Sequence, residues 1–267
     1  MPEALPADIA SELVRSASRR GHIGAPVYYF AEIGSTNDEA ARLAEHGAAD
    51  GTTVIASAQT AGRGRFGRSW FSPPGAGLYV SVICRNERAA PYLSLAGGVA
   101  VADGIGAATA LPVEITWPND IVIDAGFGRR RKLAGILAEA SSSPEGLHHV
   151  ILGFGINLRP AAYPSEIADR ATSLEFELGR EVAAGPVLCE TLAALSTRLS
   201  ELAAGDPSAL LARWRELAPS ATGATVEWDT PDGCRSGKTA GIDDDGALRV
   251  RVDGTTERII SGTLKWS

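Results

Sequence analysis

The chain changes texture at Pro219, and that change limits the architectures open to it. Beyond it, short β-rich runs at 224–228, 238–242, 247–252 and 256–260 are separated by the turn pairs Asp232-Gly233, Asp245-Gly246 and Asp253-Gly254. Asp-Gly supplies the positive φ of tight hairpins, so so short a segment with this rhythm predicts a small β-barrel. Before Pro219, β-rich runs at 27–33, 52–60, 77–84, 113–117, 120–124, 133–140 and 148–158 are interleaved with helical spacing at 7–19, 37–46, 92–109, 186–204 and 207–217. The reading is an α+β chain in two units, 1–219 and 220–267.

Composition narrows the function. With 267 residues and a net charge of -7, the chain is long enough for a large core and too acidic for a general nucleic-acid binder. Cys84, Cys189 and Cys234 are odd in number and far apart, which predicts reduced thiols rather than a disulfide framework or a zinc site. No apolar run reaches the ~18 residues of a membrane span and the start is no signal peptide, so the expectation is a cytoplasmic protein without a membrane partner.

Against that acidic background, GRGRFGRSW at 62–70 sets Arg63, Arg65 and Arg68 between Gly62, Gly64 and Gly67 and ends on Trp70. Glycine lets backbone approach a ligand closely, and arginine brings a fixed fork of donors for carboxylate or phosphate oxygens. The loop therefore predicts an anion site. Thr36 followed by Glu39 has the form of a capping box, which leaves Ser35 and Asn37 at a strand-to-helix turn where polar groups converge. Gly153 and Gly155 interrupt a strand and mark a close approach. Arg129 to Arg131 read as the exposed charge of a turn over 125–131, whereas Lys132 opens an apolar strand. His148 and His149 read as surface or packing residues, and Trp117 as core.

In chain order, GSTN (34–37), QTAGRGRFGRSW (59–70), WPND (117–120), KLAGILAE (132–139) and GFGIN (153–157) together resemble the catalytic part of biotin protein ligases, the biotin-[acetyl-CoA-carboxylase] ligases. The resemblance runs from about Val27 to the C-terminus. It implies a mixed central β-sheet with helices packed on it, like that of class II aminoacyl-tRNA synthetases, and an SH3-like C-terminal barrel. It also implies ATP and Mg²⁺, formation of biotinyl-5′-AMP, and transfer of biotin to a lysine of a biotin carboxyl carrier protein.

Carried over by position, the resemblance places Ser35, Thr36, Asn37, Gln59, Arg63, Gly64, Arg65 and Lys132 around biotin and the adenylate. Gly62, Gly135, Gly153 and Gly155 become close-approach positions. Trp70 packs beside adenine and acyl chain with Arg68 nearby, and Asn119, Asp120 and Asn157 sit at the nucleotide. Asp120 is assigned either to the metal or to the proton of the incoming lysine, and the sequence does not separate these.

Two departures stand out. Thr116 precedes WPND where the family usually has lysine, removing one cation near the phosphates. Only 34 residues precede Ser35, too few for a helix-turn-helix, so a monofunctional ligase without specific DNA binding is expected. The barrel could complete the ATP site, meet the carrier or support a homodimer, and its residues do not choose. Of the rival readings, an octanoyltransferase would want a cysteine in the motifs and has none. A polar ureido-type pocket suits a lipoate ligase poorly, and four further motifs argue against a phosphate- or nucleic-acid-binding module.

Overall fold

A computed structural model describes residues 1–126, 129–144, 146–230 and 233–266. Strands β1 (Val27–Phe30), β2 (Thr53–Ala56), β3 (Gly77–Cys84), β4 (Glu114–Thr116), β5 (Asp120–Asp124), β6 (Arg130–Ser143) and β7 (Gly146–Asn157) form a seven-stranded sheet in the order β1-β2-β3-β7-β6-β5-β4. Only β1 and β2 run parallel, so the sheet is mixed as expected.

Period-2 alternation gives the sheet two apolar faces. Ile55, Val80, Val82 and Leu152 join the main core, whereas Val54, Ala56, Ile83 and Ile151 turn to the other side with Ala40 and Ala44 of α3 (Thr36–Glu45). The main core holds α1 (Ala7–Arg15), α4 (Leu93–Thr109), α7 (Ala184–Ala203) and α8 (Ser208–Leu217), with one-turn α2 (Ala17–Arg20) following α1 and short α5 (Ser165–Ala168) and α6 (Leu174–Leu178) on the return from β7. Helix α4 is sandwiched between sheet and α7, which explains its apolar composition. A Cβ at Gly97 would meet Leu152 at 2.9 Å, and one at Gly104 would meet the Thr191 backbone at 2.6 Å.

That sandwich corrects one expectation. The stretch Ala90–Thr109 is long and apolar enough to cross a membrane by length and composition, yet 67% of its apolar 18-residue window is buried inside the protein. It is a core helix, apolar on both sides because it has protein on both sides.

Three local expectations also change. Residues 7–19 form two helices rather than one: Ser16 Oγ donates to Glu12 O and accepts from Arg20 Nε, and the buried Arg20 guanidinium donates to Leu13 O and Ile23 O. The capping box does not form; Ser35 is the N-cap residue, and Glu39 pairs with Arg42 at 2.7 Å instead. Strand β6 begins at Arg130, so Arg130 and Arg131 are strand residues, paired with Glu114 and Glu177. Phe127 and Gly128 of the expected turn, and Asp232 of the first Asp-Gly pair, lie outside the described residues.

After Pro219, strands β8 (Thr222–Thr230), β9 (Gly233–Ile242), β10 (Leu248–Val252), β11 (Thr255–Ile259) and β12 (Lys265–Trp266) form an antiparallel sheet in the order β11-β10-β9-β8-β12. A closed barrel was expected, but β11 and β12 stand at opposite edges and are not paired among the described residues. Two-residue β12 is too short to bridge back across the sheet. Val226, Leu248, Val250 and Ile259 extend the main core into this unit, and buried Trp117 donates its indole N–H to Gly246 O at 3.0 Å. Trp117→Phe removes that bond and part of the buried ring, so a loss of about 1–3 kcal/mol is expected. Urea unfolding checks it, and an unchanged midpoint would count against the contact.

Candidate functional site

Among the described residues, seven cationic side chains and one carboxylate, Asp120, line a cavity of about 840 Å³ on the α3 side of the sheet, in a chain whose net charge is -7. The sheet orders its chemistry. Ser81 of β3 pairs with Gly153 of β7, Gly153 with Leu137 of β6, Gly135 with Asp120 of β5, and Asp120 with Thr116 of β4. One wall is thus neutral and polar, and the other is charged.

At the neutral wall, the chain after β2 runs beside Gly34 through Thr60 N–H to Ile33 O and Ala61 N–H to Gly34 O. This brings Gln59 Oε1 to the Thr36 N–H at 2.9 Å and the Thr36 hydroxyl at 3.1 Å. Buried Ser81 donates toward Thr36 Oγ1 at 2.8 Å and Asn37 Oδ1 at 2.5 Å. Asn37 Nδ2 donates to Glu139 Oε2 at 2.6 Å. Asn37 therefore has both ends of its amide engaged by protein and lies against the bare backbone of Gly153, where a Cβ would meet its amide carbon at 2.9 Å. Buried Ser35 completes this cup.

The glycine-arginine loop is a small hairpin. Trp70 N–H donates to Gly62 O at 2.8 Å and Gly64 N–H to Arg68 O at 2.7 Å, and the turn passes through left-handed Phe66 and Gly67. Arg63 pairs with Asp38 at 2.7 Å and Glu139 at 2.8 Å. Arg65 reaches Asn119 Oδ1 at 3.4 Å; burial lowers its pKa, and Asp120 opposes that shift. Arg68 donates to Thr263 Oγ1 at 2.9 Å, tying the hairpin to residues 262–266, which also line the cavity. Trp70 lies over Gly155 and Gly135, and its indole N–H is buried without a protein partner.

A β-bulge decides the charged wall. Ile121 pairs with Ala134 but Val122 pairs with Lys132, so Leu133 is an extra residue in β6. One inserted residue reverses the side-chain alternation, which brings Lys132 and Arg130 to the face that carries Asp120 and Gly135 and sends Arg131 to the other. Lys132 Nζ then sits 2.7 Å from Asp120 Oδ1 and 5.1 Å from the Trp70 ring centre. Asn119 Nδ2 donates to Ile136 O at 2.6 Å, which holds its oxygen toward Arg65.

Nearly every residue singled out in the sequence lines this cavity. Gly62 does not; it is buried behind the wall, where a Cβ would meet Trp70 O at 2.6 Å. The close approaches at Gly153 and Gly155 are filled by Asn37 and Trp70. Asn157 lines the cavity and donates to Thr172 O at 2.9 Å, holding the segment that runs beside Lys132. Sequence reasoning missed Ser81, a polar residue in an otherwise apolar strand, and Glu139, which follows the apolar run 133–138, and it missed Arg130, Arg170 and the 262–266 wall. His149 is buried, with its pKa lowered by that burial, and stands away from the cavity; His148 is exposed. Among the described residues no three His, Cys, Asp or Glu side chains gather as a metal cage.

Comparison with known proteins agrees with this geometry. Residues 29–157 match the model of the biotin/lipoate A/B protein ligase family. The chain is 31% identical over 265 residues to the bifunctional ligase/repressor BirA of Bacillus subtilis, covering 97% of this chain and 80% of that protein. It is 38% identical over 247 residues to the biotin-[acetyl-CoA-carboxylase] ligase of Mycobacterium tuberculosis, covering 88% and 86%. The structure of an Aquifex aeolicus biotin protein ligase in complex with biotin and ATP superposes with a TM-score of 0.77 at 28% identity, covering 90% of this chain and 99% of that one. Five motifs in order around one cavity, and relatives aligned over most of their own length, carry the same conclusion: the chain belongs to the biotin/lipoate A/B protein ligase family, among its biotin protein ligases.

Proposed function

We propose that the protein joins biotin and ATP into biotinyl-5′-AMP with release of pyrophosphate, then passes the biotinyl group to one lysine of a biotin carboxyl carrier protein. The carrying observation is a neutral hydrogen-bonding cup and a cationic wall in one cavity. Biotin has an uncharged ureido head and an anionic tail, and the cavity offers partners for each in that order.

In this reading Ser35, Thr36 and Gln59 face the ureido group, while Asn37 shapes the cup from behind. An unmatched polar group there costs about 1–3 kcal/mol, which is the source of specificity. The biotin carboxylate oxygen attacks the α-phosphorus, the new bond is an acyl phosphate, and the bond to pyrophosphate breaks. Arg65, Arg68 and Lys132 offset the repulsion between carboxylate and triphosphate and stabilise the charge that develops. Trp70 packs against adenine and the acyl chain, with Asn119 and Asn157 at the nucleotide. In the second step the amine of the carrier lysine attacks the acyl carbon and AMP leaves; the amine proton passes to Asp120, or to solvent if Asp120 holds the metal.

Asp120 with the neighbouring Asn119 oxygen is a hard-oxygen donor set too small to cage an ion alone. It suits Mg²⁺, which takes one or two carboxylates and completes its shell with substrate phosphates. When bound there, the ion would add Lewis-acid charge at the phosphates. Residues 1–219 form the catalytic unit and 220–267 a C-terminal unit supplying the 262–266 wall. An octanoyltransferase reading is disfavoured because none of the cysteines lines the cavity.

The test is incubation with biotin, MgATP and an apo carrier domain from an acetyl-CoA or pyruvate carboxylase. The expected result is the mass gain of a single amide-linked biotin, absent when lipoate or octanoate replaces it. Asp120→Asn separates two roles. Adenylate formation kept with transfer slowed more than about tenfold supports the proton role, whereas loss of the first step supports the metal.

A further inference from the structure

The three arginines of the hairpin end on three different walls. Arg65 reaches Asn119 at 3.4 Å on the charged side, and Arg68 reaches Thr263 at 2.9 Å in the C-terminal unit. Arg63 turns toward the neutral cup instead. Its Nη2 carries two hydrogens and faces two carboxylates, Asp38 Oδ1 at 2.7 Å and Glu139 Oε2 at 2.8 Å. One positive charge between two negative ones is a poor seat for a third anion, which sets Arg63 apart from the other two.

The two carboxylates arrive from different elements. Asp38 lies in the first turn of α3, next to Asn37 of the cup. Glu139 lies on β6 past the last β5 pair at Gly135, two residues from Leu137 and so on the same face. The oxygen of Glu139 that accepts from Arg63 also accepts from Asn37 Nδ2 at 2.6 Å. Arg63 lines the cavity, and neither carboxylate does. Arg63 also sits at the root of the hairpin, between the bonds from Trp70 N–H to Gly62 O and from Gly64 N–H to Arg68 O. Holding its side chain fixes the angle at which the hairpin leaves the cup, and with it the places of Arg65 and Arg68.

We infer that Asp38 and Glu139 are positioning residues that act through Arg63, a carboxylate clamp that sets the hairpin against the ureido cup and so retains the adenylate. This rests on the ligase reading above and adds to it two residues that touch no substrate. Because Glu139 serves Asn37 and Arg63 with one oxygen, the cup and the hairpin root share a support.

The rate at which preformed biotinyl-5′-AMP leaves the full chain reads the clamp. Arg63→Ala is expected to raise that rate about tenfold and Glu139→Gln about fivefold, the scale of half-exposed ion pairs, and Arg63→Lys should recover part of the loss. Glutamine keeps an oxygen for Asn37, so KM for biotin should stay at the wild-type value in Glu139→Gln and rise about tenfold in Glu139→Ala. In an Arg63→Ala background, Glu139→Gln should add nothing to the release rate, because the partner through which it acts is gone. Release at the wild-type rate in both Arg63→Ala and Glu139→Gln overturns the clamp, as does a double variant in which the two losses multiply. A wild-type protein that makes no adenylate from biotin and MgATP overturns the ligase reading instead.

Discussion

Lys132→Ala is expected to slow biotinyl-5′-AMP formation by about two to three orders of magnitude, the usual loss when one preorganised charge is removed from a reacting centre. Lys132 stands over Gly135 and the Trp70 ring and faces Asp120. Its removal takes away a positive charge and leaves Asp120 without its counter-charge beside an incoming triphosphate. Both changes act against the same step. Arginine should rescue poorly, because its planar fork is broader than an ammonium and the bed above Gly135 is shallow. Single-turnover formation of the adenylate measures the effect directly. A rate within fivefold of wild type would remove Lys132 from the reacting centre.

Gly153→Ala should be the most damaging small substitution in the cup. A methyl at this central-strand position would overlap the Asn37 amide, which Ser81 and Glu139 hold from opposite ends. Neither side can yield without breaking a buried hydrogen bond. Overpacking of this kind costs about 1–3 kcal/mol, and the displaced Asn37 should reshape the ureido cup enough to weaken biotin binding more than about tenfold. Glu139 also holds Arg63, so the hairpin loses part of its anchorage. Gly106→Ala is the contrasting variant. It adds a methyl to α4 where nothing lies within 4 Å, so it should be neutral or stabilising by up to about 1 kcal/mol. Urea unfolding and calorimetry with biotin compare the two. Equal behaviour would mean that the seat at Gly153 is looser than the geometry states.

How much was legible in the sequence follows from how local each signal is. Strand β3 was readable because its apolar run ends at both sides in polar or glycine residues. Helix α4 was readable as a helix whose glycines let it pack closely on the sheet; what the sequence did not show is that α7 covers its other side at Gly104. The break between α1 and α2 was hidden because it depends on where the Arg20 guanidinium folds, and the sequence pattern there is that of a continuous helix. Glu139 escaped notice because its importance lies in two partners far away in the chain, Asn37 and Arg63.

The amino-acid sequence by itself determined the residue types of the site and their order: uncharged polar groups at 34–37 and 59, arginines among glycines at 62–68, and a lone lysine before an apolar strand. Those types already call for a neutral head and an anionic tail in the ligand, since each group's charge and donor count are properties of the residue. Only the tertiary structure decided which of them share a face. The extra residue at Leu133 turns Lys132 and Arg130 toward Asp120 and turns Arg131 away. The C-terminal sheet brings residues 262–266 to a wall begun two hundred residues earlier. Both results follow from backbone pairing across long separations, where a shift of one residue reverses every side chain and leaves no mark in composition or local spacing.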